Sequence, residues 1–136
     1  MHRSASAALA LRGGGLTEVP FYAMCFYTVN TLMFATGMMD SMLVPMMGTS
    51  EAALPTVQGP VVKSMFFGFT VCNAAIAALL SSGEKYTQLV AACFMFGFAG
   101  PMAAMFKSGM MGVPGLLQYG VMNAIFGSIA LTNYLK

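Results

Sequence analysis

Charged residues are scarce in this sequence. Asp, Glu, Lys and Arg make up 7% of the 136 residues, whereas hydrophobic residues make up 58%, and the mean hydropathy is +0.76. A soluble domain carries about a quarter charged residues, so these few charges cannot cover a water-facing surface. The composition therefore predicts an integral membrane protein. The net charge is only +2 and there is no Lys/Arg run, which excludes nucleic acid as a partner because no basic patch can follow phosphates.

Residues for several kinds of chemistry are also missing. The only histidine is His2, so a bis-histidine haem cannot be built from this chain and we expect no haem. There is no Ser-His-Asp set, no pair of catalytic carboxylates, no HExxH motif and no glycine-rich phosphate loop, and we therefore expect no enzyme. The three cysteines lie in three different apolar runs, which is typical of apolar core residues rather than of a disulfide framework or a zinc site.

The first 16 residues, MHRSASAALALRGGGL, differ in composition from the rest of the chain. They contain Arg3 and Arg12, are rich in Ser and Ala, and precede the first acidic residue, Glu18. Such a composition is typical of an organelle-targeting segment or its remnant, with a mobile cytosolic tail as the alternative. The glycines at 13–15 would break a helix, so we place the membrane domain at 17–136.

Four long apolar stretches predict the fold. They suggest helices at about 19–39, 62–83, 86–106 and 115–135. A hydrocarbon core about 30 Å thick needs roughly 20 helical residues. No stretch alternates with period two, and unpaired strand edges cannot lie in lipid, which argues against a barrel. We predict an all-α integral membrane protein with four transmembrane helices, short loops and both termini on the same side.

The positive charges indicate an orientation. Four spans would put four cations on the side of the termini (Arg3, Arg12, Lys85 and Lys136) and two on the other side (Lys63 and Lys107). The positive-inside rule then favours termini on the side from which insertion occurs.

Carboxamide side chains are the candidate site residues. Asn30, Asn73 and Asn123 fall near the middle of helices one, two and four, and Gln88 and Gln118 lie nearer helix ends. A carboxamide in the hydrocarbon region must find a partner, and an interhelical hydrogen bond there contributes about 0.6–2 kcal/mol. Two interpretations stay open. These residues lock the helices together, or their oxygens ligate the magnesium of a chlorophyll or bond a quinone or carotenoid group.

A methionine-rich stretch, GMMDSMLVPMMG at 37–48, raises the possibility of copper. Met38, Met42 and Met46 would share one face of a continuous helix, and thioether sulfur suits Cu(I). This MxxxM spacing resembles the signature of copper transporters. That family has three spans, a methionine-rich extracellular tail and GxxxG in its third helix, whereas this chain has four predicted spans and no GxxxG. Pro45 opposes a continuous helix, and 15 methionines along the chain explain the cluster without metal, so copper is the minority interpretation.

Small residues recur on single helix faces. The pairs are Ala74 with Ala78, Gly97 with Gly100, and Gly120 with Gly127. Such faces let helix backbones approach closely in lipid. Gly100-Pro101 also predicts a kink, because proline removes one helical hydrogen bond and clashes with the preceding turn.

The stretch ALALRGGGL, residues 8–16, resembles the region around the processing site of plastid proteins in algae with secondary plastids. The rest of the chain is similar in style to small accessory subunits of algal photosystem–antenna supercomplexes. The paired Glu/Arg helix motif of the light-harvesting family is missing. The resemblance implies a thylakoid location, other membrane subunits and lipid as partners, and a role in packing between a reaction centre and its antenna. Bound chlorophyll and carotenoid are the cofactors that it suggests.

Two alternatives to this role stay open. The presequence-like tail also fits a supernumerary subunit of a respiratory complex in the mitochondrial inner membrane. A four-helix bundle could instead transport a small neutral solute or copper past Asn30, Asn73 and Asn123. No Asp, Glu, Lys, Arg or His stands in the middle of a predicted helix, which argues against a proton-coupled transporter. Convergence of the three carboxamides on one water-accessible cavity would favour transport.

Overall fold

Four long helices organise the chain in the computed structural model, which describes residues 14–136. They are α1 (Val19–Ala35), α2 (Pro60–Ser81), α3 (Lys85–Lys107) and α4 (Val113–Leu135). Within 14–136 all regular structure is helical. By length and composition α2, α3 and α4 can each cross a membrane, whereas α1 is apolar but has only 17 residues. The predicted tail at 1–16 lies outside the described residues, except that its last residues enter a 3-10 turn, Gly14–Thr17.

The first helix is shorter than the sequence predicts. The apolar run predicts a helix to residue 39, but the helix ends at Ala35, and Gly37 takes a left-handed conformation with φ +80°. Glycine adopts this conformation without a steric penalty, so the helix turns here and not at Pro45. The chain then forms a 3-10 turn, Asp40–Met42, and a π turn, Leu43–Met47, which contains Pro45.

The other helices begin and end within two residues of the predicted positions. α2 starts at Pro60, where the missing N–H of proline leaves no helical bond unmade. A three-residue turn with Gly83 at φ +76° then leads into α3. α3 is interrupted at Phe98, between Lys85–Gly97 and Ala99–Lys107. The interruption agrees with the expected kink, because Pro101 has no N–H for the carbonyl four residues earlier.

The helices pack as two antiparallel pairs. α1 lies mainly against α2, and α3 lies mainly against α4, while α1–α4 and α2–α3 contacts join the pairs. One apolar cluster, which includes Met24, Leu80 and Met95, fills the end near the turn at 82–84. A second cluster, which includes Leu43 and Phe66, fills the end near the connections 36–59 and 108–112. At the first end the side-chain Nδ2 of Asn133 lies 3.0 Å from the carbonyl oxygen of Leu16.

The connections themselves are packed tightly at the second end. The backbone N–H of Gly112 donates to the carbonyl of Met47 at 2.8 Å, and that of Ser50 donates to Gly109 at 2.9 Å. A Cβ on Gly112 would lie 2.5 Å from the carbonyl oxygen of Gly48, so the two backbones touch where only glycine fits. The methionine-rich stretch is therefore part of a folded cap over this end of the bundle.

The helices combine an apolar outer surface with some buried polar side chains. Within residues 16–136 nine polar residues lie buried beside a larger number of apolar ones: Thr17, Asn30, Thr31, Thr49, Thr70, Asn73, Thr87, Gln88 and Asn123. Large apolar residues cover much of the outer helix faces, among them Val29, Leu32, Phe67, Val71, Val90, Leu117, Val121 and Ile125. Water-facing helices carry polar outer faces, so this arrangement suits a hydrocarbon surrounding.

Candidate functional site

A hydrogen bond between α1 and α4 holds the first predicted asparagine. The phenol of Tyr119 donates to the side-chain oxygen of Asn30 at 2.7 Å. Asn30 is buried and Tyr119 is half-buried. Tyr119 lies in a π turn, Leu116–Val121, and the extra residue in such a turn changes which side chains face the bundle. The side-chain oxygen of Asn30 therefore already accepts a hydrogen bond within the chain.

Hydroxyl groups join α1 to α2 at Thr31, the residue after Asn30. Thr31 donates to the carbonyl of Tyr27 at 2.7 Å, which leaves its oxygen free to accept. The hydroxyl of Thr70 lies 2.9 Å from this oxygen, and the amide nitrogen of Asn73 lies 3.5 Å from it. All three partners are buried, so the group is a small interhelical polar cluster in which Asn73 holds the longest contact.

Asn123 differs from the other two asparagines. Its side chain is 8% exposed and makes no hydrogen bond with any residue in 14–136. It faces a small cavity together with Asn73 and Thr31. The carboxamide therefore points into space inside the bundle and not at a protein partner.

Two small cavities lie side by side at the centre of the bundle. Cavity A has a volume of about 30 Å³, and its walls include Asn30, Phe34, Met47, Phe66, Met105 and Met111. Cavity B has the same volume of about 30 Å³, and its walls include Met24, Tyr27, Asn73, Phe94 and Asn123. Thr31, Phe98 and Tyr119 lie between them and contribute to both. The three asparagines thus converge on one region, but on two small spaces and not on a single channel-sized one.

The size of these cavities limits what the interior can hold. A cavity needs at least about 10–15 Å³ to hold a water, whereas ligand pockets usually measure roughly 300–1,000 Å³. About 30 Å³ suits one or two waters but not a chlorophyll macrocycle. Pigment ligation by Asn30, Asn73 or Asn123 would therefore require the bundle to open.

The two predicted glutamines lie at opposite ends of the bundle. Gln88 is buried, and its amide donates to the carbonyl of Thr17 at 3.2 Å while its oxygen lies 3.3 Å from Nδ2 of Asn133. Gln118 is exposed on α4, and its amide donates to the carbonyl of Met46 at 2.7 Å. Each glutamine ties a helix to a neighbouring segment, and neither lies beside the cavities.

The three methionines of the copper hypothesis do not share a helical face. Met38 lies in the turn after α1 and is 70% exposed, Met42 is exposed in the 3-10 turn, and Met46 is half-buried in the π turn. The expected i, i+4, i+8 face required a helix that instead ends at Ala35. Their neighbour Met47 is buried in the second apolar cluster.

An apolar groove runs along the outside of the bundle between α1 and α4. It has a volume of about 310 Å³ and is lined by Val19, Tyr22, Ala23, Phe26, Met122 and Phe126. The rings of Tyr22 and Phe26 are mostly exposed. Flat rings and hydrocarbon chains fit such a surface better than they fit the interior cavities.

Sequence reasoning missed three contributors to the polar interior. Thr31 and Thr70 escape notice because a helical threonine commonly satisfies its hydroxyl on its own backbone. Tyr119 resembles an interfacial anchor, although its position four residues after Gly115 places it inside the predicted span. Its pairing with Asn30 spans 89 positions of sequence, and only the folded chain brings the two together.

The chain matches no family of known proteins, no curated protein and no solved structure.

Proposed function

We propose that this chain is a small accessory subunit of a large membrane complex, where it packs between neighbouring subunits. The observation that carries the proposal is the outer surface of the helices, which large apolar side chains cover, while several asparagines and threonines are buried. Such a surface needs lipid or other membrane helices around it. Little of the described chain projects beyond the helices, so its capacity for contact lies within the membrane.

We further propose that α1 is a fourth span. It follows α2 along its length, since the ring of Phe34 stacks on Phe66 at 5.2 Å and Thr31 lies beside Thr70. Seventeen residues rise about 26 Å, which is slightly less than a typical hydrocarbon core, and a small mismatch is tolerated by local thinning of the bilayer. The contact between Leu16 and Asn133 supports termini on the same side.

Outward-facing small residues support docking of neighbouring helices. Ala74 and Ala78 are exposed on α2, and Gly97 and Gly100 are exposed on α3. A Cβ on Gly97 or Gly100 would meet nothing within 4 Å in this chain. Gly127, by contrast, packs inward against Phe96. The exposed positions are those at which another subunit's backbone can approach closely.

The setting that we propose is a thylakoid photosystem–antenna supercomplex. It rests on the targeting-like tail and on the resemblance to algal accessory subunits. Chlorophyll or carotenoid would then lie on outer surfaces such as the groove between α1 and α4, because the inner cavities of about 30 Å³ are too small. A respiratory complex of the mitochondrial inner membrane is the alternative setting for the same structural role.

Transport is less well supported by the geometry. The asparagines face two cavities, each of which has room for only one or two waters, and the oxygen of Asn30 is already bonded to Tyr119. Passage of a solute would require the helices to separate.

Native purification from the source membrane tests the proposal. After mild solubilisation we expect the chain to migrate with a large complex that contains reaction-centre polypeptides and shows a chlorophyll Soret band. Respiratory subunits and a pigment-free spectrum would move the role to the mitochondrion. Migration as an isolated bundle without partner subunits would contradict an accessory role in either organelle.

A further inference from the structure

Cavity B differs from cavity A in chemistry although the two have the same volume. In cavity A the side-chain oxygen of Asn30 accepts from Tyr119, and the space is otherwise bounded mainly by methionine and phenylalanine. In cavity B the carboxamide of Asn123 has no hydrogen bond to any residue in 14–136, and Asn73 has only the 3.5 Å contact with Thr31. No polar atom is exposed on the wall of cavity A, whereas the wall of cavity B exposes polar atoms.

We propose that cavity B binds an ordered water that bridges Asn73 on α2 and Asn123 on α4, whereas cavity A stays dry. A buried water needs about 10–15 Å³ and two to four polar partners, and apolar cavities of larger size remain empty. Cavity B has about 30 Å³, and its walls carry two carboxamides and the hydroxyl of Thr31. Both requirements are met there. Cavity A meets only the volume requirement, because Asn30 and Thr31 border it without exposing a polar atom on its wall.

The water would connect the two helix pairs. Thr31, Thr70 and Asn73 already link α1 to α2, but Asn123 on α4 is not hydrogen-bonded to this cluster. A bridging molecule satisfies Asn123 without a direct contact, and such bridges are nearly as favourable as direct hydrogen bonds. Asn123 would otherwise bury a carboxamide, 8% exposed, without a partner, which is unfavourable in a membrane interior.

Pulsed radiolytic labelling of the full chain in detergent micelles or lipid nanodiscs tests the proposal. Hydroxyl radicals formed from a bound water oxidise side chains that touch it. Met24 lines cavity B and is 1% exposed, and Met95 is also 1% exposed but lines neither cavity. We expect Met24 to be oxidised and Met95 to be spared. Met47, Met105 and Met111, around cavity A, should be spared as well.

The wild-type pattern can overturn the proposal by itself. Exposed Met38 serves as the positive control for radical production. If Met38 is oxidised while Met24 is as unreactive as Met95, cavity B holds no water. If the methionines of cavity A are oxidised as strongly as Met24, the space and not the carboxamides determines hydration, and the proposal is wrong.

Two variants on α4 add a matched comparison. Asn123→Ala removes a polar partner without filling the cavity and should abolish the labelling of Met24. Ile125→Ala truncates an exposed side chain on the same helix and should leave Met24 labelled as in the wild type. Persistent labelling of Met24 in a folded Asn123→Ala variant would contradict the role of Asn123.

Discussion

Tyr119 donates a 2.7 Å hydrogen bond to Asn30 and so joins the last long helix to the first. The bond satisfies the phenol of Tyr119 and the side-chain oxygen of Asn30 within the chain. The bond also holds one side of the π turn Leu116–Val121, in which Tyr119 lies, toward α1. Asn30, which the sequence suggests as a possible pigment ligand, is thus paired with a tyrosine that the sequence analysis does not single out.

Removal of the hydroxyl group of Tyr119 should destabilise the bundle. Tyr119→Phe leaves the oxygen of Asn30 without its donor, and we expect a loss of about 0.6–2 kcal/mol in the free energy of unfolding. Asn30→Leu removes the other partner, and the double variant should lose less than the sum of the two, because no unpaired polar group remains. Unfolding by a denaturing detergent in mixed micelles measures all four chains. If the losses of the two single variants add exactly in the double variant, the side chains of Asn30 and Tyr119 are not energetically coupled.

Two glycines on facing helices should respond in opposite ways to leucine. Gly127→Leu must displace Phe96 and Met95, because a Cβ at this position would lie 3.1 Å and 3.3 Å from their side chains, and overpacking of this kind costs about 1–3 kcal/mol. A Cβ at Gly97 meets nothing within 4 Å, so Gly97→Leu should not destabilise the isolated chain. In the native membrane, however, Gly97→Leu should lower co-purification with partner subunits. Normal assembly of Gly97→Leu would exclude this face as the docking surface.

The contact between the two connections should not tolerate a methyl group. Gly112→Ala would place Cβ 2.5 Å from the carbonyl oxygen of Gly48, and backbone atoms cannot rotate away as a side chain can. We expect the cap to open and the free energy of unfolding to fall by about 1–3 kcal/mol. Gly68→Ala on α2 is the matched control, since its Cβ would meet open space and should stabilise the helix by about 0.5–1 kcal/mol. Equal stability of the two variants would contradict this packing.

An ion pair connects the turn after α1 to the start of α2. The ammonium of Lys63 lies 3.1 Å from a carboxylate oxygen of Asp40, and both side chains are about one-third exposed. Solvent screening limits such a pair to about 0.2–1 kcal/mol. Asp40→Asn should therefore lower stability slightly, and the effect should shrink as salt rises. The exchanged pair, Asp40→Lys with Lys63→Asp, should recover most of the loss. A salt-independent effect would indicate packing as the cause.

Part of the candidate site could be predicted from residue type and position alone. Asn30, Asn73 and Asn123 stand out because carboxamides are rare inside long apolar runs and need partners there. Which partner each one finds could not be predicted. Asn30 pairs with a tyrosine 89 positions away, Asn73 lies beside a threonine, and Asn123 faces a cavity. Helix rotation and the register between helices decide these outcomes, and neither can be read from one helix at a time.

The amino-acid sequence alone is enough to predict an all-helical chain with long apolar segments, since few charges and runs of about 20 apolar residues leave little other choice. It also predicts the turn at Gly83 and the interruption near Pro101, because backbone constraints of glycine and proline act locally. The end of α1 at Ala35 and the folding of the methionine-rich stretch against 109–115 became visible only in the folded chain. The folding of the methionine-rich stretch depends on close contact between Gly48 and Gly112, and such long-range backbone approaches are set by packing and not by local sequence.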